Sequence, residues 1–251
     1  MISLTLLFIL NGCAPFAVVP ASPPLGRQKI AGIVSVFKEQ ETAVQTLVSS
    51  GALRLQTRGS ESDATFLIVA TRNPSKIKIE ITHPWGRPLL HVLIKGSRLD
   101  IVSYSEKRLY CGRLGSPGLL KLIPVPLNPD LVWALARAYP VLSAHDRILS
   151  KRGNEMTLID RKEDPIQTIE LYPESNLPKR VCFCRQHAEM VFSDFQDDAG
   201  ILYAGEIGVN NAEDDAQLTL EIKQIVFNNP VPEAIFKLEA PRDFEVISHW
   251  R

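Results

Sequence analysis

Cys182-Phe183-Cys184 places two thiols on one face of any strand built there, with His187 three residues on. Sulfur and imidazole so arranged could hold a soft metal ion. A structural zinc site is a closed tetrahedron, however, and once Cys13 is set apart the chain offers only Cys111 besides these two. The expectation is therefore two small buried residues and no metal. Redox work is not expected either, because the pair lacks the C-x-x-C spacing that tunes thiol reactivity. His83, His91, His145, His187 and His249 are scattered, with no H-E-x-x-H. No G-x-S-x-G elbow occurs, and Gly112, Gly115 and Gly118 do not follow the dinucleotide-binding spacing. The acidic runs Asp197-Asp198 and Glu213-Asp214-Asp215 do not alternate as a calcium loop does, and read as solvated loops. A non-enzymatic chain without a metal or dissociable cofactor is the expectation.

Cys13 carries different chemistry. It ends Leu10-Asn11-Gly12-Cys13, directly after an apolar run from Leu4 to Leu10. That run is far shorter than the roughly 20 apolar residues of a membrane-spanning helix, and suits the apolar part of a bacterial lipoprotein signal. Gly12 fits a peptidase site, and Cys13 would then be lipidated. The departure is the missing positive segment, since no Lys or Arg precedes Arg27. Acyl chains on Cys13 would anchor rather than span, at about 0.8 kcal/mol per buried methylene. Pro15, Pro20, Pro23 and Pro24 follow. Proline lacks the amide donor and fixes its own backbone angle, so this stretch reads as a tether. The organisation expected is a signal peptide over 1–12, a lipidated cysteine and tether over 13–27, and one folded unit over 28–251.

Composition narrows the partners. The chain has 28 basic and 28 acidic residues, a formal charge of zero, and the two signs are interleaved. That removes the electrostatic case for nucleic acid. A folded part of about 225 residues is a normal size for a single all-β domain.

The elements follow from periodicity. Over 28–49, Ile30, Ile33, Phe37, Val44, Leu47 and Val48 recur at helical spacing, and Gly51 reads as the stop. From Leu53 the period becomes two, with Leu53 and Leu55, then Ile77, Ile79 and Ile81, alternating with polar residues. Further strands are predicted over 63–71, 89–95, 99–104 and 108–112. Asn128 then caps a helix beginning at Pro129, with Leu131, Ala134, Leu135 and Ala138 on one side and Pro140 ending it. Strands resume over 147–151, 156–161, 168–172, 179–185, 189–195, 202–207 and 218–227, with a last one near 244–247. About a dozen strands and few helices favour one curved antiparallel sheet, mainly β with α, forming an unclosed barrel covered by lid helices. An inner face rich in Leu, Ile and Val would line a cavity suited to acyl chains, or pack as an ordinary solid core.

Thr82-His83-Pro84-Trp85-Gly86, then Pro124-Val125-Pro126-Leu127-Asn128-Pro129 and the helix carrying Leu131, Trp133 and Leu135, resemble the outer-membrane lipoprotein receptor family LolB. Phe227-Asn228-Asn229-Pro230, Phe236-Lys237-Leu238 and the stretch from Pro241 to Ile247 are similar to the end of the related carrier LolA. The resemblance implies an unclosed barrel with a helical lid, whose cavity takes the acyl chains of lipoprotein cargo from a periplasmic LolA-like carrier. The place expected is the periplasmic face of the outer membrane, and the expected state a monomer. Pro84, Trp85 and Gly86 would form the loop that helps insert cargo into the bilayer, with Trp85 in the place of the family's protruding apolar residue. Trp suits that place, because its ring can be buried at the interface with its N–H still hydrogen-bonded. The stretch from Arg147 to Phe227 matches little of the family. Two alternatives stand beside this: a structural or assembly lipoprotein using the same fold as an interaction platform, and a carrier of another envelope lipid.

Overall fold

The computed structural model describes residues 23–115, 128–185, 187–211 and 216–248. Cys13, the prolines before Pro23, the motif from Pro124 to Leu127, Gly118, the run Glu213-Asp214-Asp215 and His249 lie outside the described residues.

The chain begins with α1 (Arg27–Thr42) and continues as β1 (Thr46–Thr57), β2 (Ser60–Thr71), β3 (Lys76–Thr82), β4 (Pro88–Lys95), β5 (Arg98–Ser103) and β6 (Arg108–Arg113). The helix α2 (Pro129–Arg137) follows. Then come β7 (Arg147–Leu149), β8 (Glu155–Ile159), β9 (Pro165–Leu171), β10 (Pro178–Phe183), β11 (Ala188–Asp198), β12 (Ile201–Asn211) and β13 (Ala216–Phe227). One 3₁₀ turn (Glu233–Phe236) and β14 (Glu245–Ser248) complete it.

All the strands belong to a single sheet in the order β14-β6-β5-β4-β3-β2-β1-β13-β12-β11-β10-β9-β8-β7. Its two edges, β14 and β7, are not paired with each other, so the sheet is curved and unclosed, as the sequence predicts. One pairing departs from the antiparallel expectation. β14 runs parallel to β6, with Glu245 opposite Arg108 and Ile247 opposite Tyr110. The cause is the strap over residues 228–244, which crosses the outer face before β14 forms. Phe236 packs there on Val69 and Leu93, and Lys76 Nζ donates to Glu233 Oε2 at 2.7 Å.

The first helix is shorter than its apolar spacing predicts. It ends at Thr42, and Leu47 and Val48 belong to β1. Gly51, expected as the helix stop, sits inside β1 at a register irregularity. A Cβ there would lie 1.9 Å from the carbonyl oxygen of Glu221 on β13. Glycine thus serves a close approach of two strands, which a local pattern does not distinguish from a helix end.

The interior has one continuous apolar core, contributed by the inner faces of β1 to β6 and β8 to β13 together with both helices. α1 packs beside the β11–β12 turn, where Gln40 Nε2 donates to the Gly200 carbonyl at 2.8 Å. α2 lies within the concavity, with every residue from Leu131 to Arg137 buried.

Candidate functional site

Strand register gathers the site at one end of the sheet. β1 and β2 pair Leu55 with Ser62 and Leu53 with Ala64. Leu55 also faces Leu218 on β13, and Ile81 faces both Phe66 and Leu90. Alternation turns these side chains inward on neighbouring strands. With Leu131, Val132 and Leu135 of α2 they enclose a cavity of about 210 Å³. Its walls are almost wholly hydrocarbon. Leu53, Leu55, Ile79, Ile81, Leu89, Leu90 and Leu218 are only half-buried, whereas Ile68, Leu131 and Leu220 deeper in are buried.

The turn joining β3 to β4 lies at this same end. Gly86 N–H donates to the His83 carbonyl at 2.8 Å, and His83 N–H donates to the Arg87 carbonyl at 2.8 Å. Gly86 takes φ +85°, a left-handed conformation that residues with a side chain rarely adopt. Pro84 supplies a fixed φ at the preceding corner. Trp85 at the tip is 88% exposed, and among the described residues the ring close to it is His83, with centroids 6.3 Å apart. Pro84, Trp85 and Gly86 therefore stand out beside the cavity.

Leu131, Trp133 and Leu135 do not share one environment. Leu131 and Leu135 line the cavity. Trp133 is buried toward the other end of β2, with the Arg72 guanidinium 5.6 Å from its ring centroid, and its Nε1–H has no partner among the described residues. The helix is capped as the sequence predicts, by Asn128 Oδ1 accepting from Leu131 N–H at 2.7 Å. It ends at Arg137, before Pro140, because Ala138 turns left-handed at φ 57°. The first helical turn carries Asp130 and the last Arg137, both matched to the helix dipole.

Sequence reasoning missed Arg137. Its side chain is fully buried, and its hydrogen bonds among the described residues go to carbonyl and amide oxygens, with the Glu41 carboxylate acting only at a distance. Nη1 donates to the Leu202 carbonyl at 2.9 Å, and Nη2 donates to the Gln40 carbonyl at 2.8 Å and to Gln40 Oε1 at 3.0 Å. The guanidinium lies 4.8 Å from the Tyr139 ring centroid. Burial pulls its pKa down to about 10, and burial likewise pushes the Tyr139 hydroxyl up to about 12. A lone arginine near a helix end gives no local signal of such a position.

The cysteines depart from expectation. Val181 and Phe183 take the inward positions of β10, so Cys182 is half-buried on the outer face rather than in the core, and Cys184 is half-buried just beyond the strand. Cys182 Sγ lies 3.7 Å from Glu189 Oε2, and burial with that carboxylate pushes the thiol up to about 11. A thiol so shifted stays protonated at neutral pH and is a poor nucleophile. Among the described residues no three His, Cys, Asp or Glu side chains are grouped to hold a metal ion. No helix among them is long and apolar enough to cross a membrane.

No protein family's sequence profile and no curated protein sequence matches the chain. Solved structures do. A DUF1329 family protein from Desulfovibrio piger is similar with a TM-score of 0.57 at 10% identity, over 83% of this chain and 97% of that one. A LolA superfamily protein from Nitrosomonas europaea is similar with a TM-score of 0.51 at 15% identity, over the same shares of the two chains. At these identities the likeness is one of fold, and the fold is LolA-like: a single large curved sheet, not closed into a barrel, with two helices.

Proposed function

We propose that this chain is a lipid-anchored protein of the bacterial envelope that binds an acyl chain in the cavity and delivers it to a membrane at the Trp85 turn. The observation that carries this reading is the placement of the hydrocarbon-walled cavity and the exposed Trp85 at one end of the sheet. A tryptophan held out by a hydrogen-bonded turn costs little in folding and can enter the interfacial zone of a bilayer. Beside it, a chain leaving the cavity would meet lipid before it met much water.

In its finer form the reading is LolB-like: acylated lipoprotein cargo, received from a periplasmic LolA-like carrier, inserted at the outer membrane by a protein tethered there through Cys13. The Thr82-His83-Pro84-Trp85-Gly86 turn and the Asn128-Pro129 helix start support it. No bond is made or broken in this role, and no cofactor takes part beyond the lipid on Cys13. The solid packing around β8 to β12 favours a second reading, an assembly lipoprotein that uses the fold as a platform.

Trp85→Ser tests the assignment. The variant is expected to fold and remain membrane-attached, while cargo lipoproteins are left mislocalised in cell fractionation. Normal sorting with Trp85→Ser would overturn the insertion role and favour the platform.

A further inference from the structure

The wall that would have to move for the cavity to grow is α2, and the structure ties that wall down at both ends. Near its N-terminus Asp130 Oδ2 accepts from the Ser143 hydroxyl at 3.1 Å. At its C-terminus Arg137 donates three hydrogen bonds to groups of α1 and β12. The next turn is fixed as well, since Ala204 N–H donates to the Ala138 carbonyl at 2.8 Å. The fully buried Gln167 then clasps the following residues, donating from Nε2 to the Val141 carbonyl at 2.9 Å and accepting from Ser143 N–H at 3.0 Å. Each of these bonds is wholly or partly shielded from water, where leaving a polar group unpaired is costly. A helix so anchored forms a floor.

With the floor held, the cavity has a set depth. Its volume is about 210 Å³, below the roughly 300–1,000 Å³ of pockets that enclose most of a drug-sized ligand. Among the described residues the polar side chains that line it, Ser62 and Asp63, belong to the outer end of β2, and the deep part is lined by apolar ones. The inward-facing Ser62 stands at the rim, and Ala64, Phe66 and Ile68 follow it along β2 toward the floor. Such a site offers a head group nothing inside and a hydrocarbon tail everything.

Resting on the acyl-binding reading above, we propose that the cavity takes one acyl chain at a time, tail first, and selects by chain length, with the depth set by Leu131 and Leu135 of α2 and by Phe66. Double-chain lipids and the bundled chains of a multiply acylated N-terminus would place one chain inside and leave the others outside the rim.

The test displaces a fluorescent single-chain fatty acid from the full chain carrying Cys13→Ser, using lysophosphatidylcholines of increasing acyl length. Affinity is expected to rise roughly fourfold per added methylene while each is buried, then to level off. Leu135→Ala should move the plateau to longer chains, and Ala64→Phe to shorter ones. If Ala64→Phe fails to fold, Leu135→Ala alone decides the point. Fatty acid that never binds would overturn the acyl-binding reading itself. Binding that strengthens through the longest chain, or a plateau that Leu135→Ala leaves in place, would overturn the length selection and spare that reading.

Discussion

The two arms of the curved sheet use the same kinds of residue to different ends. Along β8 to β11, Met156, Leu158, Ile169, Val181, Phe183, Met190 and Phe192 are all at or below 1% exposure. Along β1 to β4, Leu53, Leu55, Ile79, Ile81 and Leu90 face inward yet remain half-buried around a cavity. The difference lies in what fills the concavity. Phe37 of α1 packs at a tilt against Tyr139 with ring centroids 5.4 Å apart, and Tyr139 meets Phe195 of β11 edge-on at 6.2 Å. These rings and the large side chains of β8 to β11 complete one arm. On the other arm the small Ala64 and the aliphatic face of α2 stop short. One arm is built for stability, and the other gives up packing to keep an apolar space.

The largest effect that could break this contrast is a matched pair of truncations. Phe192→Ala should cost about 3–5 kcal/mol, because it removes a ring from a fully packed site and leaves a hole. Ile81→Ala, on the cavity wall, should cost only about 1 kcal/mol, since its side chain is already partly in contact with solvent. Denaturant unfolding of the two variants reads both values. Equal costs would mean that the cavity arm is packed as tightly as the other.

Arg137→Met probes the junction between the arms, because Arg137 joins α2 to α1 and β12. The change leaves the carbonyls of Leu202 and Gln40 without their donor, at about 1–3 kcal/mol. It also relieves the burial of a guanidinium whose pKa has been drawn down to about 10. A net loss of roughly 2 kcal/mol in denaturant unfolding is expected. A variant at least as stable as the parent would show that the knot supplies specificity alone.

The smallest effect concerns the outer face of the cavity arm. His91 on β4 accepts from or donates to the Tyr104 hydroxyl at 3.1 Å, and Tyr104 packs against Phe244 of the C-terminal strap at 5.6 Å. Burial lowers the His91 pKa from its ordinary 6.5, against the opposing pull of Glu80. The folded state therefore binds this proton less readily than the unfolded chain does. Stability from this group is intact above pH 6.5 and declines as pH falls below it. His91→Gln should flatten that part of the pH–stability profile, and an unchanged slope would place its origin elsewhere.

Much of the fold was legible along the chain. The period-two runs of Ile77, Ile79 and Ile81 marked a strand and its inner face, and Asn128-Pro129 marked a helix start, because both signals are made by residues adjacent in sequence. Trp85 between Pro84 and Gly86 marked a turn for the same reason. Gly51 misled, since its role depends on Glu221, a residue 170 positions away.

The sequence by itself determined most strands from Leu53 onward, the inner face of β3, the capped helix and the turn that carries Trp85, each of which is set by local backbone preference and hydrophobic alternation. Only the tertiary structure decided that Arg137 is buried among carbonyls, that the Cys182 thiol lies on the outer face, that β14 returns parallel to β6, and that a cavity remains beside the exposed tryptophan. Those outcomes come from which distant side chains meet in the concavity and how completely their volumes fill it, and a local pattern carries no record of volume.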